Sequence, residues 1–179
     1  MSAPTPRPPD VPSASPAPAS TSPSAPGAAP TSPDALGASP TPAATLTDLI
    51  AAYNDAWNAH DVDRIGAMHA ADMIFENHTA GERAEGAEAL VHIARIFESW
   101  PDIRFQTRRL YVREDLVVQE WTARATHTQP LRRGDIVAEP SGREIEWVGM
   151  DVIPFEHGKV KRKDVYSDSV SILRQVGLL

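Results

Sequence analysis

The prolines of this 179-residue chain are concentrated in its first quarter, where 13 of the 17 occur. The same stretch, residues 1–45, contains none of the four Trp, three Tyr and four Phe, the first of which is Tyr53. A segment with no aromatic and few large aliphatic side chains cannot bury enough apolar surface to offset the chain entropy lost on folding. We therefore expect residues 1–45 to be a disordered tail and residues 46–179 to form one folded domain.

The composition excludes several classes of partner and chemistry. The net charge of −7 without a basic block argues against nucleic acid and anionic membrane surfaces as partners. The absence of cysteine excludes disulfides, thiolate metal sites and cysteine nucleophiles. No apolar run is long enough to cross a membrane, and the N-terminus lacks the basic head and apolar stretch of a signal peptide. We expect a cytoplasmic protein.

Hydrophobic spacing in the domain changes from a helical to a strand pattern along the chain. A capping pattern at Thr45 and Asp48 begins a helix that extends to about Ala59, and Asp61 can cap a second one. The later segments alternate in the manner of strands joined by hairpins. The predicted elements are helices over 46–59, 61–69 and 87–100, and strands over 73–77, 103–112, 116–128, 144–155 and 159–165. This order predicts an α+β fold, with three helices on one face of a curved, mainly antiparallel sheet and a cavity at its open end.

The last predicted hairpin contains a candidate acid–base pair. If His157 and Gly158 form the turn, Asp151 lies directly opposite Asp164 on the face that carries the aromatic residues of these strands. Two carboxylates in this arrangement have Cβ atoms roughly 5 Å apart and can share a proton. The alternative is that Arg162, on the same face, neutralises two ordinary aspartates.

Further candidates share the predicted inner face. Strand alternation places Trp121 and His127 there, and helical spacing places Tyr53 and Trp57 on one face of the first helix, where they line the cavity or belong to the plain core. No histidine spacing matches a metal site, and no phosphate loop or dinucleotide fingerprint is present. We therefore expect neither a metal nor a cofactor.

Several segments resemble the SnoaL-like polyketide cyclase family, and the resemblance covers nearly all of residues 46–179. They are residues 53–61 (YNDAWNAHD), 100–102 (WPD), 126–128 (THT), 147–159 (WVGMDVIPFEHGK) and 173–179 (LRQVGLL). The resemblance implies the cone-shaped α+β barrel of the nuclear transport factor 2-like superfamily. It also implies intramolecular aldol cyclisation without a cofactor, in which Asp151 matches the family's acid–base aspartate and His127 matches a histidine near the substrate.

Together these observations predict an enzyme acting on a small hydrophobic molecule that contains carbonyl groups. Asp151 would remove a proton next to a carbonyl, and His127 or a protonated Asp164 would donate to the developing oxyanion. The site residues predicted to hold the substrate are Tyr53, Trp57, Trp121, Trp147 and Arg162. The alternatives are a proton-shuttling isomerase and a non-catalytic module that binds a hydrophobic ligand or docks a protein.

The other face of the last hairpin suggests a homodimer. It carries Val148, Met150, Val152 and Val165 in the predicted register, which is more apolar than a solvated face requires. The family resemblance also implies a homodimer through the outer face of the sheet.

Overall fold

Residues 44–133 and 135–179 are described by the structure, a computed structural model. The predicted tail, residues 1–45, lies almost entirely outside this part of the chain. The elements are α1 (Leu46–Ala59), α2 (Val62–Met68), β1 (His69–Asn77), β2 (Glu82–Glu85), α3 (Ala87–Ser99), β3 (Arg104–Arg113), β4 (Leu116–Thr126), β5 (Leu131–Arg133), β6 (Ile136–Ala138), β7 (Glu144–Glu156), β8 (Lys159–Ser167) and α4 (Ser169–Gln175).

Both N-terminal helices begin where the sequence predicts. Thr45 and Asp48 form a reciprocal capping box at the start of α1. The Asp61 carboxylate accepts the backbone N–H of Arg64 at 2.9 Å and caps α2. None of the helices in the described ranges has the length and hydrophobicity needed to cross a membrane.

The main sheet has six strands in the order β2-β1-β8-β7-β4-β3. Only the β1–β8 pair is parallel; the other neighbours are antiparallel. The inner face packs on the helices through aromatic contacts, since the Trp57 ring of α1 stacks on Phe75 of β1 and meets Phe97 of α3 edge to face. The predicted α+β class is confirmed, with α4, β2, β5 and β6 as additional elements.

The hairpin of β7 and β8 contains an irregularity that the sequence analysis did not predict. Next to the turn, Glu156 pairs with Lys159 as expected. Between Val152 and Phe155 the register shifts by one residue, in the manner of a β-bulge. Because side chains alternate along a strand, such a shift exchanges the two faces of one strand relative to its neighbour.

The bulge reverses the predicted faces of β8 beyond this point. Asp151 pairs with Val165 and not with Asp164. Lys163 and Val165, predicted on the outer face, are buried on the inner one. Arg162 and Asp164 lie on the outer face, so the predicted opposition of two aspartates inside the cavity is wrong.

The inner faces of β4 and β7 agree with the prediction, and a glycine on β7 makes room for a tryptophan of β4. Gly149 on β7 pairs with Trp121 on β4, and the Trp121 indole ring lies over the Gly149 backbone. A Cβ atom at position 149 would overlap the ring.

We predict that Gly149→Ala lowers the free energy of unfolding by about 1–3 kcal/mol, because an added methyl group forces the packed indole to move. Chemical denaturation of the full chain measures this value. The control is Gly66→Ala in α2, where a new Cβ meets only the flexible Leu90 side chain and alanine has the higher helix propensity. Equal losses in both variants would contradict the prediction.

Candidate active site

A cavity of about 720 Å³ lies between the helices and the inner face of the sheet. Its walls include six aromatic side chains: Trp57, Phe75, Trp100, Phe105, Trp121 and Trp147. A cavity of this size with mainly apolar walls is typical of small-molecule sites. Phe75 and Asn77 place the inner face of β1 against the cavity, which leaves Glu76 on the opposite side of that strand.

Four polar side chains line one part of this cavity, and we call them the polar cluster: Asn54, Gln119, Asp151 and Lys163. Lys163 Nζ forms an ion pair with Asp151 Oδ2. The same oxygen accepts a hydrogen bond from Gln119 Nε2 at 2.9 Å. Asn54 Nδ2 in turn donates to Gln119 Oε1 at 3.0 Å and fixes the orientation of that amide. Elements α1, β4, β7 and β8 are therefore joined by one chain of polar contacts that ends at the Asp151 carboxylate.

The Asp151 carboxylate uses its two oxygens unequally. Asp151 is 2% exposed, and both of its side-chain bonds end on Oδ2. Oδ1 is buried and has no hydrogen-bond partner within the described residues. A buried acceptor without a partner costs about 1–3 kcal/mol. Oδ1 is therefore the oxygen of this carboxylate whose hydrogen-bonding capacity is unused.

Lys163 is held from two sides. Its Nζ lies 5.1 Å from the centroid of the Trp57 ring, within the range of a cation–π contact, while the same atom pairs with Asp151. The side chain is 6% exposed. Aromatic and carboxylate contacts together stabilise an ammonium group that is largely removed from water.

Tyr53 and His127, both predicted for the site, are fully buried and are not among the residues that line the cavity. The Tyr53 hydroxyl is hydrogen-bonded to His69 Nε2 at 2.9 Å. His127 lies behind the cavity wall, with its ring 6.3 Å from that of Trp100 and its Nδ1 3.1 Å from the Ser141 hydroxyl oxygen. The inward direction of both side chains is as predicted, but both belong to the core.

Burial controls the ionisation of the Tyr53–His69 pair. Removal from water raises the pKa of the Tyr53 hydroxyl well above its ordinary value. Burial, assisted by the positive charge of Lys163, lowers the pKa of His69 to about 4. Both side chains are therefore uncharged near neutral pH.

Arg162 and Asp164 belong to a charged network on the outer face of the sheet. Arg162 Nε and Nη2 each donate to the Asp164 carboxylate at 2.7 Å, and Nη2 also bonds to Glu76. His78 Nε2 lies 2.7 Å from Asp164 Oδ1. Although partial burial opposes it, the bonds from Arg162 and His78 lower the pKa of Asp164. Glu76, His78 and Asp164 come close enough to share a cation, but the guanidinium already neutralises both carboxylates.

The structure thus brings four of the eight predicted site residues to the cavity: Asp151, Trp57, Trp121 and Trp147. The sequence analysis missed Gln119, Asn54 and Lys163. Gln119 is two residues before Trp121 on the same strand face, and Asn54 is four residues after Ile50 on the buried side of α1, so periodicity could have found both.

A family model described as SnoaL-like polyketide cyclase matches residues 47–176. Comparison with curated proteins gives no match.

Solved structures with the same fold include several bacterial proteins. AclR of Streptomyces galilaeus, a candidate hydroxylase, is 21% identical with a TM-score of 0.64 over 74% of this chain and 85% of its own. IdmH of Streptomyces antibioticus, a candidate polyketide cyclase, is 23% identical with a TM-score of 0.61 over 73% and 97%. A Catenulispora acidiphila protein with a ketosteroid isomerase-like fold is 18% identical with a TM-score of 0.61 over 74% and 95%. These likenesses establish the ketosteroid isomerase and nuclear transport factor 2-like fold.

The lowered pKa of His69 predicts a loss of stability in acid. Between about pH 6.5 and pH 4 the unfolded chain binds a proton at this histidine that the folded protein excludes, so the free energy of unfolding falls as the pH falls through this window. From about pH 7 to pH 4.5, we expect the wild type to lose about 2 kcal/mol more than His69→Gln, which keeps a hydrogen-bonding group beside Tyr53. Urea unfolding at the two pH values measures both losses.

His157→Gln is the matched control, because it removes an exposed histidine from the β7–β8 turn without changing the core. It should lose as much stability as the wild type. If His69→Gln lost the same amount, His69 would not be the source of the acid sensitivity.

Proposed function

The chain belongs to the SnoaL-like polyketide cyclase family, and on this premise we propose that it is a cofactor-independent enzyme that closes a ring by intramolecular aldol addition. The observation that carries the proposal is the Asp151 carboxylate, which lines the cavity with one oxygen held by Lys163 and Gln119 and the other without a partner. A positioned carboxylate with one free oxygen is suited to act as a general base.

The proposed reaction needs only one proton carrier. Asp151 Oδ1 takes a proton from the carbon next to a carbonyl, and the electrons of the broken C–H bond pass to the carbonyl oxygen as an enolate. The enolate carbon attacks a second carbonyl of the same molecule, which forms the new C–C bond and an alkoxide. The alkoxide takes the proton back from Asp151. The product is an isomer of the substrate, so neither a redox cofactor nor a second reactant enters the balance.

The cavity supports a particular class of substrate. Its aromatic walls favour a bulky, largely apolar molecule, and its volume of about 720 Å³ leaves room for a folded chain or several fused rings. The indole N–H of Trp121, whose side chain lines the cavity, is buried without a partner in the described part of the chain. A carbonyl oxygen of the substrate would supply the acceptor that this donor lacks.

We predict that the protein accelerates exchange of the C1 protons of 2-tetralone for deuterium, because this aromatic ketone loses such a proton in the same step. Asp151→Asn should reduce the rate by about 10²- to 10⁴-fold, the usual contribution of a general base. Proton NMR of the C1 signal in heavy water measures the exchange, and ligand-induced fluorescence change of the cavity tryptophans checks that the ketone still binds.

Asp72→Asn is the matched control, because Asp72 is an exposed carboxylate that forms an ion pair with Lys161 and is not among the cavity residues. It should exchange protons at the wild-type rate. If the wild type bound 2-tetralone without accelerating exchange, a ligand-binding module would replace the enzyme. If exchange occurred but native substrates gave no new C–C bond, the isomerase would be the correct alternative.

We also propose that the protein is a homodimer through the outer face of the sheet. Val148 and Met150 of β7 are 39% and 37% exposed there, beside the exposed Tyr166 of β8. Val165, which was predicted to belong to this patch, is buried on the inner face. The remaining apolar side chains lie on adjacent strands and form one surface.

Met150→Glu should convert the dimer to a monomer, because a charge in the patch would lose its hydration on association. Sedimentation velocity at micromolar concentration measures the change in mass. Val91→Glu, at a more exposed apolar position on α3, should leave the dimer intact. A monomeric wild type would contradict the proposal.

A further inference from the structure

We infer that Lys163 is a second catalytic residue, whose ammonium group donates a hydrogen bond to the substrate carbonyl oxygen and stabilises the enolate that forms there. The inference rests on the proposed function, since it concerns the charge that the proposed proton removal creates. It gives a role to a residue that the β7–β8 bulge brings into the cavity and that strand alternation alone places on the opposite face.

The position of Lys163 satisfies the first requirement for this role. Its side chain lines the cavity, and its Nζ is bonded to the same carboxylate that carries the free oxygen Oδ1 of Asp151. An α-proton and the oxygen of the adjacent carbonyl are separated by only two heavy atoms, so a base and an oxyanion donor must stand next to each other. Asp151 and Lys163 meet this condition.

The hydrogen-bonding capacity of Lys163 satisfies the second requirement. An ammonium group has three N–H donors. One is used by Asp151 Oδ2, and the described residues provide Lys163 with no other hydrogen-bond acceptor. Trp57 contributes only the face of its ring, 5.1 Å from Nζ. Donor capacity therefore remains for a ligand oxygen.

Charge balance gives the physical reason for placing a cation here. Before the step, the negative charge of Asp151 is paired with Lys163. When the C–H bond breaks, the proton moves to Asp151 and the negative charge moves to the substrate oxygen. A fixed ammonium between these two positions is paired with an anion before and after the transfer, so no isolated charge forms in a site shielded from water.

Lys163 has a competing structural role, because it also neutralises Asp151 and thereby stabilises the fold. The two roles differ in what they require of Lys163 once Asp151 has become neutral. A lysine that serves only as the counterion of Asp151 then attracts an anion through space, whereas an oxyanion donor also gives the enolate oxygen a direct hydrogen bond.

The test uses 2-naphthol, whose anion resembles the enolate of 2-tetralone, and the full-length Asp151→Asn variant, which resembles the enzyme after it has accepted the proton. Ultraviolet absorption distinguishes bound naphtholate from bound naphthol. We expect this variant to bind the anion in preference to the neutral form. Adding Lys163→Met should weaken naphtholate binding by about 10- to 100-fold, the value of one hydrogen bond to a charged group.

The controls separate a lost cation from a damaged cavity. Binding of uncharged 2-methoxynaphthalene should change little in the double variant, and near-ultraviolet circular dichroism should keep its wild-type form. Lys163→Arg in place of Lys163→Met should retain much of the anion preference, because it keeps the charge. Lys161→Met, which removes the half-buried lysine paired with the exposed Asp72, should have no effect.

The outcomes distinguish this inference from the proposed function. Equal naphtholate affinity with and without Lys163 would overturn the inference, even if 2-tetralone exchange depended on Asp151. The inference about the oxyanion site is supported if the preference for naphtholate is lost in the Lys163→Met variant and kept in the control variants. If that preference were found while the wild type failed to exchange 2-tetralone protons, the proposed aldol function would fall and the anion site would stand.

Discussion

The buried ion pair between Asp151 and Lys163 imposes the main constraint on the inner face of this sheet. Removing a carboxylate and an ammonium from water costs several kcal/mol for each ion, and mutual attraction offsets this only with good geometry and further hydrogen bonds. Gln119 supplies such a bond to the carboxylate, and Trp57 supplies its ring face to the ammonium. Because these four residues come from α1, β4, β7 and β8, the helix and three strands must hold their relative positions for the pair to be tolerated.

A single bulge determines which charges share the cavity. Without the shift between Val152 and Phe155, Asp164 and Arg162 would face inward and Lys163 would face solvent. With it, Lys163 meets Asp151 inside, while the other two join Glu76 on the outer face. One extra residue in a strand thus separates a partly buried ion network on the outer face from a buried ion pair at the cavity.

The parts of the molecule that were predictable from sequence are those governed by local rules. The capping box at Thr45, the periodicity of α1 and the turn at His157 depend on nearby residues, and the structure agrees with each. The short β2 and α4 bury no full side-chain face, so they leave no periodic signal.

The β7–β8 bulge is only partly predictable from the sequence. Pro154 lies inside the shifted segment, and a proline in the interior of a strand indicates a bulge because it cannot donate to the ladder. The residue type therefore gives a warning of irregularity, but the direction of the shift depends on which charges the rest of the fold can pair. The partner of Asp151 is consequently a tertiary property.

The distribution of unmet hydrogen bonds favours chemistry over passive binding. A module that holds an apolar ligand gains nothing from an ion pair beside its cavity, since an apolar pair of similar volume is often as stable or more so. In this protein, Oδ1 of Asp151 and the indole N–H of Trp121 are buried without partners in the described ranges. Each such group lowers the stability of the protein without a ligand. It increases the affinity only for ligands that present a matching hydrogen-bond donor or acceptor. An enolisable carbonyl compound offers both. Its interactions with these groups are strongest when the proton has moved and the substrate oxygen carries the negative charge.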